Sequence, residues 1–207
     1  MEHFILMSAV KPTKKTTDKA IQDDLKKLIS VINKLHKETF ITELDMVMPF
    51  EFQGITNNLV ASLNILFDIE ECIIENKLGF KLKHVLYHDK IKSLQSKHEA
   101  YERLGFGLID ARKNLDLIKK SDSRFLIITG NEKKSLHLNN LLMIYEDYLD
   151  SWRLKDYDFV NAFLSNMSYK EVAQQFNINI SNGWRKERNL KMKQYYTIKE
   201  MILTAGE

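Results

Sequence analysis

The sequence predicts an α+β chain in two parts, an α/β domain over residues 1–130 and an all-α domain over residues 131–207. Three observations carry this. Apolar runs of strand length alternate with stretches of helical spacing as far as Gly130. Beyond Gly130 only the helical spacing continues. Glycine (7) and proline (2) are so few among 207 residues that neither a flexible linker nor a loop-rich fold fits. The 44% hydrophobic and 29% charged composition excludes a disordered or fibrous chain.

Phe4 to Val10 is a continuous apolar run closed by Lys11-Pro12 and reads as a buried strand. Ile21, Leu25, Leu28, Ile29, Ile32 and Leu35 recur at helical spacing, so a helix runs from about Thr17, a good N-cap, to His36. Phe40 to Phe52 returns to strand character, and Pro49 sets a hairpin turn near Met48-Pro49. Leu59, Leu63, Leu66, Phe67, Ile73 and Ile74 mark a second helix ended by Gly79. Phe80 to Tyr87 reads as a strand, Leu108 to Lys119 as a third helix, and Phe125 to Thr129 as a short buried strand. Helices on one face of a sheet with a central hairpin form the split βαβ, or ferredoxin-like, plan.

In the all-α part, Leu138, Leu141, Leu142, Tyr145, Tyr148, Leu149 and Trp152 outline an amphipathic helix. Ser168-Tyr169-Lys170-Glu171 is a capping box that opens a short helix bearing Val172, Ala173 and Phe176. Asn177 suits the left-handed turn that follows, and Ser181 is the expected N-cap of a second helix. Tyr157, Val160, Phe163 and Leu164 complete a three-helix unit with helix-turn-helix layout. The spacing puts Gly183 where such a unit normally buries a branched residue, so Trp184 fits that place only with one extra turn residue.

Residues 1–150 hold 22 Lys+Arg against 22 Asp+Glu, whereas residues 151–207 hold nine against six. The net charge of +3 therefore belongs to the C-terminal end. Ser181, Asn182, Arg185, Lys186 and Arg188 lie on the second helix of the turn, where Arg reads guanine, Asn reads adenine and Lys meets phosphate. Duplex DNA is the expected partner. Beyond them, Tyr195, Tyr196, Ile198, Met201, Ile202 and Leu203 prolong the final helix, and a homodimer is expected if they bury against a second copy.

Other chemistry is thin. Cys72, the sole cysteine, excludes an intramolecular disulfide and reads as a small buried hydrophobe. The N-terminal apolar run is too short for a signal peptide or a membrane span, so a cytoplasmic protein is expected. His84 and His88 share a strand face but stand about 13 Å apart, too far for one metal ion, and read as strand-end and loop histidines. His98-Glu99 begins like a zincin motif, but Glu102 replaces the second histidine. There is no Walker-type element and no serine or cysteine with an assignable base.

Glu51-Phe52-Gln53-Gly54, closing a hairpin before a helix, resembles the Gly-Asp-Glu-Phe-Gln-Gly signature of the SatD family. Gly105-Phe106-Gly107-Leu108-Ile109-Asp110-Ala111-Arg112 is similar to that family's glycine-rich lead into a helix. The order of elements and the C-terminal helix-turn-helix agree with it as well. The resemblance implies a domain like those of nucleotidyl cyclases and GGDEF proteins, in which first-strand and hairpin carboxylates hold a divalent metal. Here Ser8 replaces the first-strand acid, Pro49-Phe50 replaces the hairpin Gly-Asp, and Glu51 alone survives. The expectation is a degenerate, non-catalytic cyclase-like domain with no metal and no cofactor. Ser8, Glu51, Gly105, Gly107 and Arg112 would line its vestigial ligand cleft, open to a nucleotide ligand through free amides at the helix start. The alternatives are a protein-docking scaffold, and a nucleotide sensor or metal-dependent nucleotide enzyme with atypical ligands.

Overall fold

Strand β1 (His3–Lys11) is apolar on both faces, and the sheet is built around it. The computed structural model describes the backbone of residues 3–11, 17–89 and 97–207, and the side chains of residues 3–11, 17–88 and 107–207. Pro12 and the side chains of Asp89, His98, Glu99 and Glu102 lie outside the described residues. The fold is α+β, with a five-stranded mixed sheet and eight α-helices among the described residues.

After β1 come α1 (Asp18–Leu35), the hairpin β2 (Phe40–Met48) and β3 (Glu51–Thr56), α2 (Leu59–Glu75), β4 (Lys81–Asp89), α3 (Lys97–Lys119) and β5 (Phe125–Ile128). The strand order is β2-β3-β1-β4-β5, antiparallel throughout except for the parallel β4–β5 pair. Thr17 is extended at the start of α1, as its N-cap role requires, although its side chain makes no capping bond. Helix α2 ends earlier than its sequence suggests: Asn76 is the C-cap and Lys77, not Gly79, takes the left-handed conformation at φ 51.

The helices do not share one face of the sheet. Phe4 and Leu6 of β1, with Leu82 and Leu86 of β4, join the core under α1 and α2. Ile5, Met7 and Ala9, with Val85, pack instead under Ala111, Leu115 and Ile118 of α3. Because β3, β4 and β5 run parallel and step in one direction, α3 on the opposite face from α2 gives the β4–α3–β5 connection the opposite hand to β3–α2–β4. One hand of crossover dominates strongly in proteins, so this connection is an uncommon feature. The buried ammonium of Lys83 fixes the end of α3 by donating to the Ile118 carbonyl at 2.6 Å and to that of Ser121.

From Gly130 onward the chain is helical: α4 (Glu132–Ser151), a 3-10 turn at Leu154–Asp156, α5 (Tyr157–Leu164), α6 (Tyr169–Gln175), α7 (Ile180–Asn189) and α8 (Met192–Gly206). These helices do not form a core of their own. Tyr145 of α4 packs on Phe67 of α2 and on Phe125 of β5, and one apolar cluster runs from Phe4 to Ile202. Polar contacts reinforce the seam. The Asn139 side chain exchanges two 2.8 Å hydrogen bonds with the Ile127 backbone, and Tyr195 donates to Glu71 at 2.8 Å. The expected boundary at 130–131 thus falls inside a continuous core. Among the described residues no helix is long and apolar enough to cross a membrane.

Candidate functional site

The C-terminal helices α5, α6 and α7 are set by local chemistry that is plain in the sequence. Ser168 and Glu171 form the capping box, with the Ser168 amide donating to the Glu171 carboxylate at 2.7 Å. Asn177 takes φ 50 and turns the chain after α6. Helix α7 then starts at Ile180 with Asn179 as its N-cap, so Ser181 is within the first turn rather than before it. Gly183 is buried against α6, where an added Cβ would fall on the Tyr169 carbonyl and within 3.0 Å of the Ala173 Cβ. The glycine is therefore itself the crossing residue, and no extra turn residue brings Trp184 inward; Trp184 stays 43% exposed.

Gly183 facing inward determines what faces out. At about 100° per residue, Ser181, Arg185 and Arg188 lie opposite Gly183, with Asn182 on one flank and Trp184 on the other. Ser181, Asn182, Arg185 and Arg188 are all exposed. Lys186 behaves differently: it is half-buried, with its ammonium 4.4 Å from the centre of the Phe159 ring, which itself stacks on Phe176. The Arg188 guanidinium sits 4.8 Å over Trp184.

Cations are concentrated on this surface: Arg185, Lys186, Arg188, Lys191 and Lys193 have only Glu187 among them. Several cations elsewhere find carboxylates, as in Lys77–Asp158, Lys81–Asp150, Arg124–Glu70 and Lys199–Glu71. Among the described residues, Arg185, Lys186, Arg188, Lys191 and Lys193 take part in no such pair. Lys191, left-handed at φ 55, breaks the run into α7 and α8. The Trp152 indole donates to the Leu190 carbonyl at 2.9 Å and anchors that joint to the end of α4. Met192, Tyr195, Ile198 and Ile202 of α8 are buried within the chain itself, where α8 packs on α4 and α2. Most of the apolar C-terminal extension is thus covered by the chain itself, while Tyr196 and Met201 stay exposed.

Of the cleft residues suggested by the sequence, Glu51 and Arg112 come together, and Ser8 does not join them. Glu51, at the start of β3, faces α3 and is ion-paired with Arg112 and, at 2.7 Å, with Lys119. Ala9, not Ser8, is the β1 residue in register with Glu51, and Ser8 points to the opposite face of the sheet. Gly105 and Gly107 lie well inside α3, which begins at Lys97, so no helix start presents free amides beside Glu51. The hydrogen bond to Glu51, and its charge, raise the Lys119 ammonium above its ordinary value despite desolvation.

Ser8 instead joins a polar network hidden under α2. Its hydroxyl lies 2.7 Å from His84 Nδ1, His84 Nε2 lies 2.8 Å from Glu70, and Glu70 is paired with Arg124. Arg124 continues to the Leu82 carbonyl and Asp150, both at 3.0 Å. Burial favours neutral His84 more than Glu70 favours its cation, so the imidazole is held below its ordinary value. Burial raises the Glu70 carboxyl, but Arg124 and the His84 hydrogen bond outweigh it and keep the group ionised. A carboxylate only accepts, so His84 Nε2–H donates to Glu70 and Nδ1 accepts from Ser8. The connectivity is that of a serine–histidine–acid relay, but Ser8 and His84 are both fully buried and no substrate carbonyl reaches them. Its role is structural. His84 is therefore a mid-strand core residue rather than the strand-end histidine its sequence context suggests.

No family model matches the chain, and neither do any of the curated proteins or solved structures.

Proposed function

We propose that the chain is a cytoplasmic regulatory protein that binds duplex DNA through α7, with a degenerate, non-catalytic cyclase-like domain behind it. The observation that carries this reading is the cluster of five cations from Arg185 to Lys193 on and beside α7, with Glu187 the single acid among them and no ion pair to any of the five among the described residues. A duplex supplies the missing anions in its phosphates. Helix α7, ten residues and about 15 Å long, suits the major groove, with Ser181, Asn182 and Arg185 towards base edges and Arg188 towards phosphate. Lys186 contributes less, since its ammonium is held over Phe159.

The order β2-β3-β1-β4, with its two split crossovers, follows the ferredoxin-like plan, and β5 extends it as a cyclase-like domain would. The SatD resemblance rests on that order and on the hairpin before α2; its second motif, from Gly105 to Arg112, is interior to α3 and adds little. A divalent metal at Glu51 would have to displace Arg112 and Lys119, which favours a silent domain.

A second reading, a protein-docking module, draws on α4, where Leu136 (64%), Met143 (62%) and Ile144 (42%) are exposed. Electrophoretic mobility of duplex fragments at two salt concentrations separates the two. Retardation that weakens steeply with salt supports DNA binding, and no retardation at the lower salt contradicts it.

A further inference from the structure

Tyr148 of α4, Trp184, Glu187 and Arg188 of α7, and Lys191 and Lys193 at the α7–α8 joint line a groove of about 590 Å³. Its volume lies in the range of small-molecule sites, ~300–1,000 Å³. Two features make it more than a charged surface. Each aromatic ring in it carries a cation: Arg188 lies 4.8 Å over Trp184, and Lys191 lies 5.7 Å over Tyr148. Those cations, with Lys193, outnumber the single acid Glu187, and none of the three is ion-paired among the described residues.

We infer that this groove binds a nucleoside phosphate unit, its base stacked on the exposed indole of Trp184 and its phosphate held by Arg188, Lys191 and Lys193. The chemistry selects that class. Resident cations repel a cationic guest, so this is not an ammonium-binding aromatic cage. A bare inorganic anion would use the cations and leave the aromatic surface idle. A flat base with an attached phosphate uses both, as single-strand binders do with stacking rings beside basic side chains. The unit comes either from a free nucleotide or from an unstacked residue of a single strand.

The groove lies on the flank of α7 and shares Arg188, but not Arg185, with the outward stripe, so variants at Trp184, Lys191 and Arg185 test it apart from duplex binding. Trp184 is the reporter, because the other tryptophan, Trp152, is buried and hydrogen-bonded to Leu190. The full chain is titrated with adenosine monophosphate, adenosine, ribose 5-phosphate, pyrophosphate and an oligothymidylate strand, while emission and heat are followed. Adenosine monophosphate or the strand should quench saturably, with adenosine, ribose 5-phosphate and pyrophosphate about tenfold weaker or worse. Trp184→Leu and Lys191→Ala should each lose about tenfold in affinity by calorimetry, while Arg185→Ala binds as the parent does. Tighter binding of the strand assigns the unit to a nucleic acid; equal or weaker binding assigns it to a free nucleotide. No saturable binding of either at millimolar concentration overturns the inference, as does pyrophosphate binding as tightly as adenosine monophosphate. Loss of duplex retardation in Arg185→Ala with nucleotide binding intact would show the two sites to be separate.

Discussion

Gly183 sits where α7 crosses α6, and the missing Cβ sets how closely the two helices approach. Alanine there would push against the Tyr169 carbonyl, which belongs to backbone and cannot swing aside. Gly183→Ala should therefore cost roughly 1–3 kcal/mol, seen as a lowered midpoint in urea unfolding. Ser8, His84, Glu70 and Arg124 form the other decisive residue set. Removing the Arg124 charge leaves buried Glu70 with no counter-ion and only the neutral His84 as a donor, so Arg124→Leu should cost roughly 3–5 kcal/mol. The network also predicts pH dependence. Both His84 and Glu70 have folded values below their ordinary 6.5 and 4.5, so the unfolded chain takes up their protons first. Their stabilisation is complete above about pH 6.5 and is lost as pH falls towards each folded value, the His84 part beginning near its ordinary 6.5 and the Glu70 part near its ordinary 4.5. Urea midpoints at a series of pH values should decline below 6.5, and His84→Gln should remove the upper part of the decline. No local spacing in the sequence announces this network, because Ser8 and His84 are 76 residues apart and Glu70 and Arg124 are 54 apart.

Among the elements, α6 was the most legible, since a capping box and a left-handed asparagine are chemistry contained within a few residues. The start of α7 was less so. Asn179 and Ser181 are both good N-caps by type, and only the backbone distinguishes them: Asn179 is extended and Ser181 is helical. Helix α3 is longer than its sequence suggests for a different reason: Gly105 and Gly107 look like a loop, yet the helix runs through them. The apolar run of β1 did signal cover on both faces, which a strand with helices on one side only would not need. Helix α8 reads in the sequence as an extension of α7, because the break at Lys191 depends on a left-handed lysine that no residue preference foretells. Its burial now leads to a sharp expectation. Truncation after Lys193 removes Tyr195, Ile198 and Ile202 from under α4 and α2. The truncated chain should lose its cooperative unfolding transition by circular dichroism, rather than remain a folded monomer.

On the scale of the whole molecule, the cluster from Phe4 to Ile202 ties the sheet to the C-terminal helices. Unfolding should then be one transition, with tryptophan emission from the C-terminal helices and far-ultraviolet ellipticity changing together in urea. Two separated transitions would restore independent domains divided near Gly130. Charge has the opposite distribution: the anions and cations of residues 1–150 balance, and the uncompensated ones gather at α7 and its joint with α8. A core continuous with these helices and a basic edge at α7 are well suited to hold α7 at a phosphate surface. The measurement that bears most directly on this is fluorescence anisotropy of a labelled duplex over a series of salt concentrations, for the parent chain and for Arg185→Ala with Arg188→Ala. The plot of log affinity against log salt should be steeply negative for the parent. The double variant should weaken binding and flatten that slope by about 0.9 for each phosphate contact removed. Equal affinity and equal slope in the two proteins would contradict DNA binding through α7.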